Sequence, residues 1–299
     1  MLDTLNQVIE MESRQTTNEK IVNRLLESME KTEQLPWHAG WISGGLPVNF
    51  TTGKRYNGIN ILMLWSGGFT HSKFATYKQI EAKGGQVRKG EKGTPVIYYN
   101  VTEKIGKDAG SDEEKIKRIP FAKLSYAFNI SQTEGIMEDA VETGDHETAE
   151  EFIRAIPATI VHGYDPCYVP KSDEIRIPLR SDIETEERYY SVLFHELVHW
   201  SGAAGRMNRE MVFQNRDIDK YSFEELVAEI GSAFLLAEFG IKPCEEQNAA
   251  YVKGWAERIG SDKSMVVKAA SQASKAVEYL LNLKQVYGLQ ECERSVAST

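Results

Sequence analysis

The sequence predicts an α+β protein in two parts, an N-terminal helix-plus-antiparallel-sheet domain followed by a mainly helical C-terminal domain. Three observations lead there. Apolar residues recur at helical spacing over 18–33, then switch to strand-like patterns over 86–101 and 119–130. A stretch crowded with acidic residues, 134–151, separates the two parts. From 184 onward helical periodicity returns, and one apolar helix contains His195-Glu196-Leu197-Val198-His199. The expected boundaries are 1–133, an acidic linker at 134–150, and 151–299.

Each element follows from local signals. Ile21, Val22, Leu25, Leu26 and Met29 make residues 18–33 amphipathic, with Thr17 or Asn18 as cap and Pro36 beyond the end. Residues 37–57, rich in Gly, Pro and Trp, predict loops. A buried helix is expected at 58–66 and a second at 74–83, stopped by Gly84-Gly85. Residues 86–101 predict strand, turn, strand, and a charged loop at 106–118 precedes a third strand at 119–130. In the second part a strand is expected at 158–162 and a hairpin over Tyr168 to Pro178, turning at Lys171–Glu174. Helices follow at about 184–201, 223–239, 245–259 and 263–285, the first two stopped by Gly202 and Gly240.

Composition excludes several classes. With 41% hydrophobic and 26% charged residues over 299 positions, the chain can bury a large core without disulfides. Cys167, Cys244 and Cys292 are odd in number and unpaired in spacing, which argues against a disulfide framework and a cysteine zinc site. No basic-then-apolar leader is visible, and the longest apolar runs, such as Ile61–Trp65, are too short to span a bilayer. A cytoplasmic protein with no membrane partner is expected.

His195 and His199 lie four residues apart, so on a helix they share one face, about 6 Å apart along the axis. Two imidazoles so placed can grip one divalent ion, and Glu196 stands beside them as a general base for water. Tyr189, Tyr190, Leu193, Phe194, Leu197, Val198 and Trp200 surround the motif, and burying two His and a Glu there is costly unless something satisfies them. This is the metal site of a zincin-type domain. The longer zincin motif HExxHxxGxxH fails, because Gly202 fits but Gly205 occupies the last histidine position. A later glutamate is therefore the expected third ligand. Glu229 is favoured, because Ala228, Gly231, Ser232 and Ala233 let a second helix approach closely. Glu225 is the alternative ligand or the partner of a ligand histidine, and Ser222 with Glu225 also reads as a capping box. Glu224 reads as solvated. Zinc is the default ion and manganese suits the same donors. Arg206 and Tyr221 are oxyanion candidates by proximity alone, a fold salt bridge and a core tyrosine being the simpler readings. The 168–178 hairpin reads either as plain sheet or as an edge for an extended peptide.

The net charge of −9 is unevenly spread: residues 37–100 carry eight basic and two acidic residues, a net +6. Aromatic residues interleave with those cations, a pattern suited to single-stranded nucleic acid, with bases stacked on rings and phosphates on cations. Tyr56 and Tyr77 are the candidate stacking rings, beside Arg55 and Lys78. Lys54, Lys73, Arg88, Lys89 and Lys92 are the candidate phosphate contacts, with Arg88–Gly93 as a hairpin tip.

These blocks together resemble the ArdC-type antirestriction proteins of conjugative plasmids. The N-terminal resemblance rests on Tyr56-Asn-Gly-Ile-Asn60, Thr76-Tyr-Lys-Gln79, Gly84-Gly-Gln-Val-Arg-Lys-Gly-Glu-Lys-Gly93 and Phe128-Asn-Ile-Ser-Gln-Thr-Glu-Gly135. The C-terminal one rests on His195-Glu-Leu-Val-His-Trp-Ser-Gly202, Arg206-Met-Asn-Arg209 and Phe223-Glu-Glu-Leu-Val-Ala-Glu-Ile-Gly231. The resemblance implies an N-terminal domain that binds single-stranded DNA and a C-terminal zincin-like metallopeptidase domain. It also implies protection of incoming plasmid DNA from host restriction, with a restriction-system protein as a candidate partner. A binding protein with a structural metal, and a protease for DNA–protein crosslinks, are the alternatives.

Overall fold

The computed structural model describes residues 16–39, 43–107, 114–136, 146–209, 218–243 and 249–297. Helix α1 (Thr17–Thr32) is capped by Thr16, one residue before the first expected cap: the Thr16 hydroxyl accepts from Glu19 N while Glu19 reaches back to Thr16 N. Its Ile21, Val22, Leu25 and Met29 are buried. Pro36 opens a short helix α2 (Pro36–Ala39), in a segment expected to be loop. Strand β1 (Ser43–Asn49) follows, then α3 (Ile59–Trp65), buried along its whole length.

Strand β2 (His71–Thr76) takes Phe74–Thr76 away from the predicted helix, because the Thr76–Gln79 capping box starts α4 (Tyr77–Ala82) only after it. The expected hairpin at 86–101 is also corrected. Strand β3 (Gln86–Val87) pairs with β6 (Thr133–Glu134), and β4 (Thr94–Lys107) pairs with β5 (Glu114–Asn129). Arg88–Gly93 therefore links a two-stranded ribbon to the main sheet. That sheet has the order β1-β2-β5-β4, antiparallel except for a parallel β1–β2 edge.

Of the acidic stretch, residues 137–145 lie outside the described residues, and its end, expected as linker to 150, forms the start of α5 (His146–Ala155). A three-stranded sheet follows, ordered β7-β9-β8, with β7 at Thr159–His162, β8 at Cys167–Val169 and β9 at Glu174–Ile177. Helices α6 (Glu186–Ser201), α7 (Ile218–Glu238), α8 (Ala249–Ser261) and α9 (Lys263–Ala297) complete the chain. No described helix is long and apolar enough to cross a membrane.

One hydrophobic core runs through both parts. Trp65 of α3 packs edge-on against Phe234 of α7 at 5.4 Å, and Trp37 of α2 packs against Trp255 of α8 at 6.3 Å. Gly58 N donates to Ser274 Oγ at 2.7 Å. The N-terminal part thus packs directly on the helices that flank the His-Glu-x-x-His segment.

Candidate metal centre

The site is built where α6 meets α7. The Thr185 hydroxyl caps α6 by accepting from Arg188 N at 3.2 Å. Leu193, Phe194, Leu197, Val198 and Trp200 are buried around the motif and fix the roll of the helix. Small residues on α7 set its approach. A Cβ on Gly231 would stand 2.8 Å from Val198 Cγ2, and the Ser232 hydroxyl donates to Ser191 O at 2.9 Å. Gly231→Ala should push the two helices apart and lower stability by about 1–3 kcal/mol. Thermal unfolding measures this; an unchanged midpoint would mean that the helix contact yields without cost.

The structure places His195 Nε2 and His199 Nε2 3.1 Å apart. Glu225 Oε2 lies 3.6 Å from His195 Nε2, and Glu225 Oε1 lies 3.5 Å from His199 Nε2. His195, His199 and Glu225 form a group with donor atoms all within 4.8 Å of one another. The geometry brings Glu225, the alternative ligand, to the histidines and leaves the favoured Glu229 outside this group. Because α7 begins at Ile218, Ser222 sits inside the helix beside Arg258 and caps nothing, which leaves Glu225 available to the histidines. Burial opposes protonation of His195, but the hydrogen bond to Glu225 and the charges of Glu196, Glu225 and Glu229 outweigh it, raising the pKa to about 8. The carboxylates that favour a proton on His195 also favour a cation beside it.

Glu224, expected to be solvated, is instead 3% exposed. Its Oε1 lies 3.2 Å from His199 Nδ1 and accepts from Arg209 Nη2 at 2.8 Å, while its Oε2 accepts from Arg209 Nε at 3.1 Å. A carboxylate can only accept, so Nδ1 carries the proton and Nε2 keeps its lone pair. Burial works against the Glu224 charge, but the hydrogen bonds from His199 and Arg209 prevail and hold its carboxyl below the ordinary range. The orienting role considered for Glu225 thus belongs geometrically to Glu224.

Glu229, one turn further along α7, is taken up elsewhere. Trp37 Nε1 donates to its Oε2 at 3.4 Å, the Tyr251 hydroxyl donates to its Oε1, and His38 Nε2 lies 3.9 Å away. Burial opposes its charge, and the nearby His38 ring and the Tyr251 hydrogen bond outweigh that and keep its pKa low. Arg206 is no oxyanion group in this arrangement. It grips both oxygens of Asp173 and the carbonyl of Trp200, and stacks 3.9 Å over the Trp200 ring. The Tyr221 side chain lies outside the described residues. Glu196 is 7% exposed, and no described residue hydrogen-bonds its carboxylate. Strand β8 packs against α6, and burial together with the nearby Glu196 charge pushes its Cys167 thiol up.

The basic segment separates into two sets. Lys54, Lys78, Lys89 and Lys92 are exposed. Tyr77 is 52% exposed and packs edge-on against Phe128 at 6.4 Å. Tyr56, however, is 7% exposed and hydrogen-bonded to Asn49 and Tyr98, so it is a core residue with no face for a base. Arg55 pairs with Glu238 at 2.6 Å, and Arg88 bonds the carbonyls of Ser131 and Thr133, tying down the β3–β6 ribbon. Lys73 is half-buried in β2. Sequence reasoning missed Tyr126, which is 44% exposed. It shares a face of β5 with Phe128, and the absent side chain of Gly93 leaves both rings room: a Cβ there would lie 2.9 Å from Tyr126 Cβ. Their period-two spacing was the available signal, but they lie outside the basic segment.

A helix presenting two histidines, a carboxylate from the next long helix and a small sheet at the rim define a zincin-like metallopeptidase fold. Residues 147–272 match the zincin-like metallopeptidase family MPTase-PolyVal, and residues 15–128 match the N-terminal domain of the anti-restriction factor ArdC. Two crystal structures of the antirestriction ArdC protein from the R388 plasmid superpose on the chain. The metal-free one has a TM-score of 0.75 at 32% identity and covers 91% of this chain and 99% of that one. The Mn(II)-bound one has a TM-score of 0.72 at 32% identity, covering 90% and 98%. This chain belongs to the ArdC family of antirestriction proteins. A DNA primase TraC of Escherichia coli is 35% identical over 296 residues, 92% of this chain but 20% of the primase; a second TraC is covered over 28% of its length. The uncharacterized protein y4eC of Sinorhizobium fredii is 30% identical over 88% of this chain and 90% of its own length. The chain thus spans between a fifth and a third of the TraC primases it matches.

Proposed function

We propose that this chain protects incoming plasmid DNA from restriction during conjugation, by binding single-stranded DNA and by metal-dependent hydrolysis of a protein, with a restriction-system protein as the target. One observation carries the hydrolytic part: the buried Glu196 carboxylate has no hydrogen bond from any described residue and stands beside a ready-made donor cluster. A purely structural metal site needs ligands but no such base.

The donors fit a divalent ion. Two ligands 2.0–2.1 Å from a tetrahedral centre stand about 3.3 Å apart, close to the 3.1–3.6 Å separations of this cluster. His195, His199 and Glu225 would hold the ion. Zinc is the default for two histidines and a glutamate, and Mn(II), the ion in the R388 ArdC structure, suits the same donors. When bound, the ion supplies Lewis-acid polarisation of a carbonyl and acidification of water. Glu196 takes the proton from the attacking water and returns it to the leaving nitrogen. Glu224 keeps His199 in the ligating tautomer. Strand β8 pairs with β9 on one side and offers its other edge to an extended substrate. Chelation should abolish cleavage of a DNA-bound protein, and added Zn(II) or Mn(II) should restore it. Metal-loaded protein that cleaves nothing would leave binding as the function.

For single-stranded DNA, the supporting surface is Tyr77, Tyr126 and Phe128, flanked by Lys78, Lys89 and Lys92, with Lys54 also exposed. Replacing Tyr77 and Tyr126 by Ala should cost roughly 1–3 kcal/mol of binding each. Removing Lys89 and Lys92 should reduce the slope of log affinity against log salt by about 0.7 per cation. Fluorescence anisotropy across a salt series measures both. Unchanged affinity in the tyrosine variants would move the stacking surface elsewhere.

A further inference from the structure

A cavity of about 250 Å³ opens beside His195 and Glu196. It is smaller than the roughly 300–1,000 Å³ of pockets that enclose a whole ligand, and is the size for one side chain. Its walls include Val192, Ala233 and Leu236, and its polar lining includes Glu229 and His38. His38 comes from α2, outside the zincin-like region, and the Trp37–Glu229 hydrogen bond anchors that helix to α7. The described lining carries two carboxylates, Glu196 and Glu229, beside the candidate metal ligand His195, and no lysine or arginine.

His38 carries the cavity's unmet demand. Its Nε2 lies 3.9 Å from the Glu229 carboxylate, too far for a hydrogen bond but close enough for that charge to favour the proton on this nitrogen. Its Nδ1 is then a bare lone pair, and this buried atom has no hydrogen-bond partner among the described residues. A buried acceptor left without a donor costs free energy, and a small shift of the ring on ligand entry would supply one. Trp37 and Tyr251, which donate to Glu229, are neutral groups, so they satisfy its oxygens without cancelling its charge.

We infer that this cavity is the subsite for a basic side chain, lysine or arginine, of the polypeptide held at the metal centre. The apolar stem lies along Val192 and Leu236, and the cationic end lies between Glu229 and His38. The inference rests on the reading of the site as a hydrolytic metal centre. It adds substrate selection and assigns a part of that selection to the N-terminal part of the chain. A DNA-bound protein offers such side chains in abundance.

Amino-acid hydroxamates test this without turnover, since the hydroxamate anchors on the metal and the side chain reports the cavity. The full chain is loaded with Zn(II), its metal content measured, and the binding of glycine, norleucine and lysine hydroxamates followed by calorimetry. Lysine hydroxamate should bind about tenfold or more tightly than norleucine hydroxamate, from the charge-assisted hydrogen bonds. In Glu229→Gln that ratio should fall to near one. Val192→Phe, which narrows the cavity from a half-buried position, should weaken both relative to glycine hydroxamate and serves if Glu229→Gln does not fold. Norleucine binding as tightly as lysine, or a preference that survives Glu229→Gln, overturns the inference. Loaded protein that binds glycine hydroxamate but gains nothing from either side chain overturns the subsite alone. Wild-type protein that retains no metal removes the hydrolytic reading first, and the subsite falls with it.

Discussion

Glu225→Ala should empty the metal site, while Glu229→Ala should leave metal bound. The distances require this order. Glu225 places one oxygen 3.6 Å from His195 Nε2 and the other 3.5 Å from His199 Nε2, whereas Glu229 is held by Trp37, Tyr251 and His38. Loss of one of three protein ligands should exceed the roughly 10–100-fold cost in affinity of removing an outer partner. Glu224→Ala should show that smaller loss, because it frees the His199 ring without deleting a donor. Metal content after dialysis, followed by competition with a chelator of known affinity, ranks the three variants. A Glu229→Ala protein that loses metal while Glu225→Ala keeps it would return the third ligand to Glu229.

Glu196→Gln should retain the fold, the metal and single-stranded-DNA binding, yet lose protection in a conjugation assay. The amide keeps the size of the carboxylate and loses its basicity, and general-base catalysis is worth about 10²–10⁴-fold in rate. The variant tests chemistry without removing a ligand, so a loss of protection cannot be attributed to an empty site once its metal content matches wild type. Full protection by Glu196→Gln would show that binding suffices and that this carboxylate serves another task.

The motif helix was legible because its signals are local. His195 and His199 at a spacing of four, inside an apolar run ending at Gly202, specify the face and the burial together. The small residues of α7 were legible for the same reason, and Gly231 does sit against Val198. The ligand choice on α7 was not. Glu225 and Glu229 lie one turn apart on one face, so helical periodicity treats them alike. The point at which α7 crosses α6 separates them, and that point depends on packing against residues from distant parts of the chain.

The same limit explains the other corrections. Glu224 read as solvated because nothing near it in sequence announces Arg209 or the His199 ring, which become its partners only after the turn beyond α6 folds back. Tyr56 sits beside Arg55 in sequence, yet Asn49 and Tyr98 draw it inward while Glu238 takes the arginine. Strand β3 pairs with β6 across 45 residues instead of with its neighbour, because the ribbon is closed by Arg88 bonding Ser131 and Thr133.

The sequence by itself determined the α+β class, the order of most elements, the histidine pair with its adjacent glutamate, and the family. All of these depend on side chains within one or two turns of each other, or on short motifs. The tertiary structure alone decided which carboxylate meets the histidines, which one orients His199, and which rings face solvent. It also decided that His38 of α2 lines the cavity beside the metal site. Those outcomes depend on contacts between residues up to 192 positions apart, as in the Trp37–Glu229 hydrogen bond. Local periodicity carries no information about such separations, and close packing of one shared core settles them.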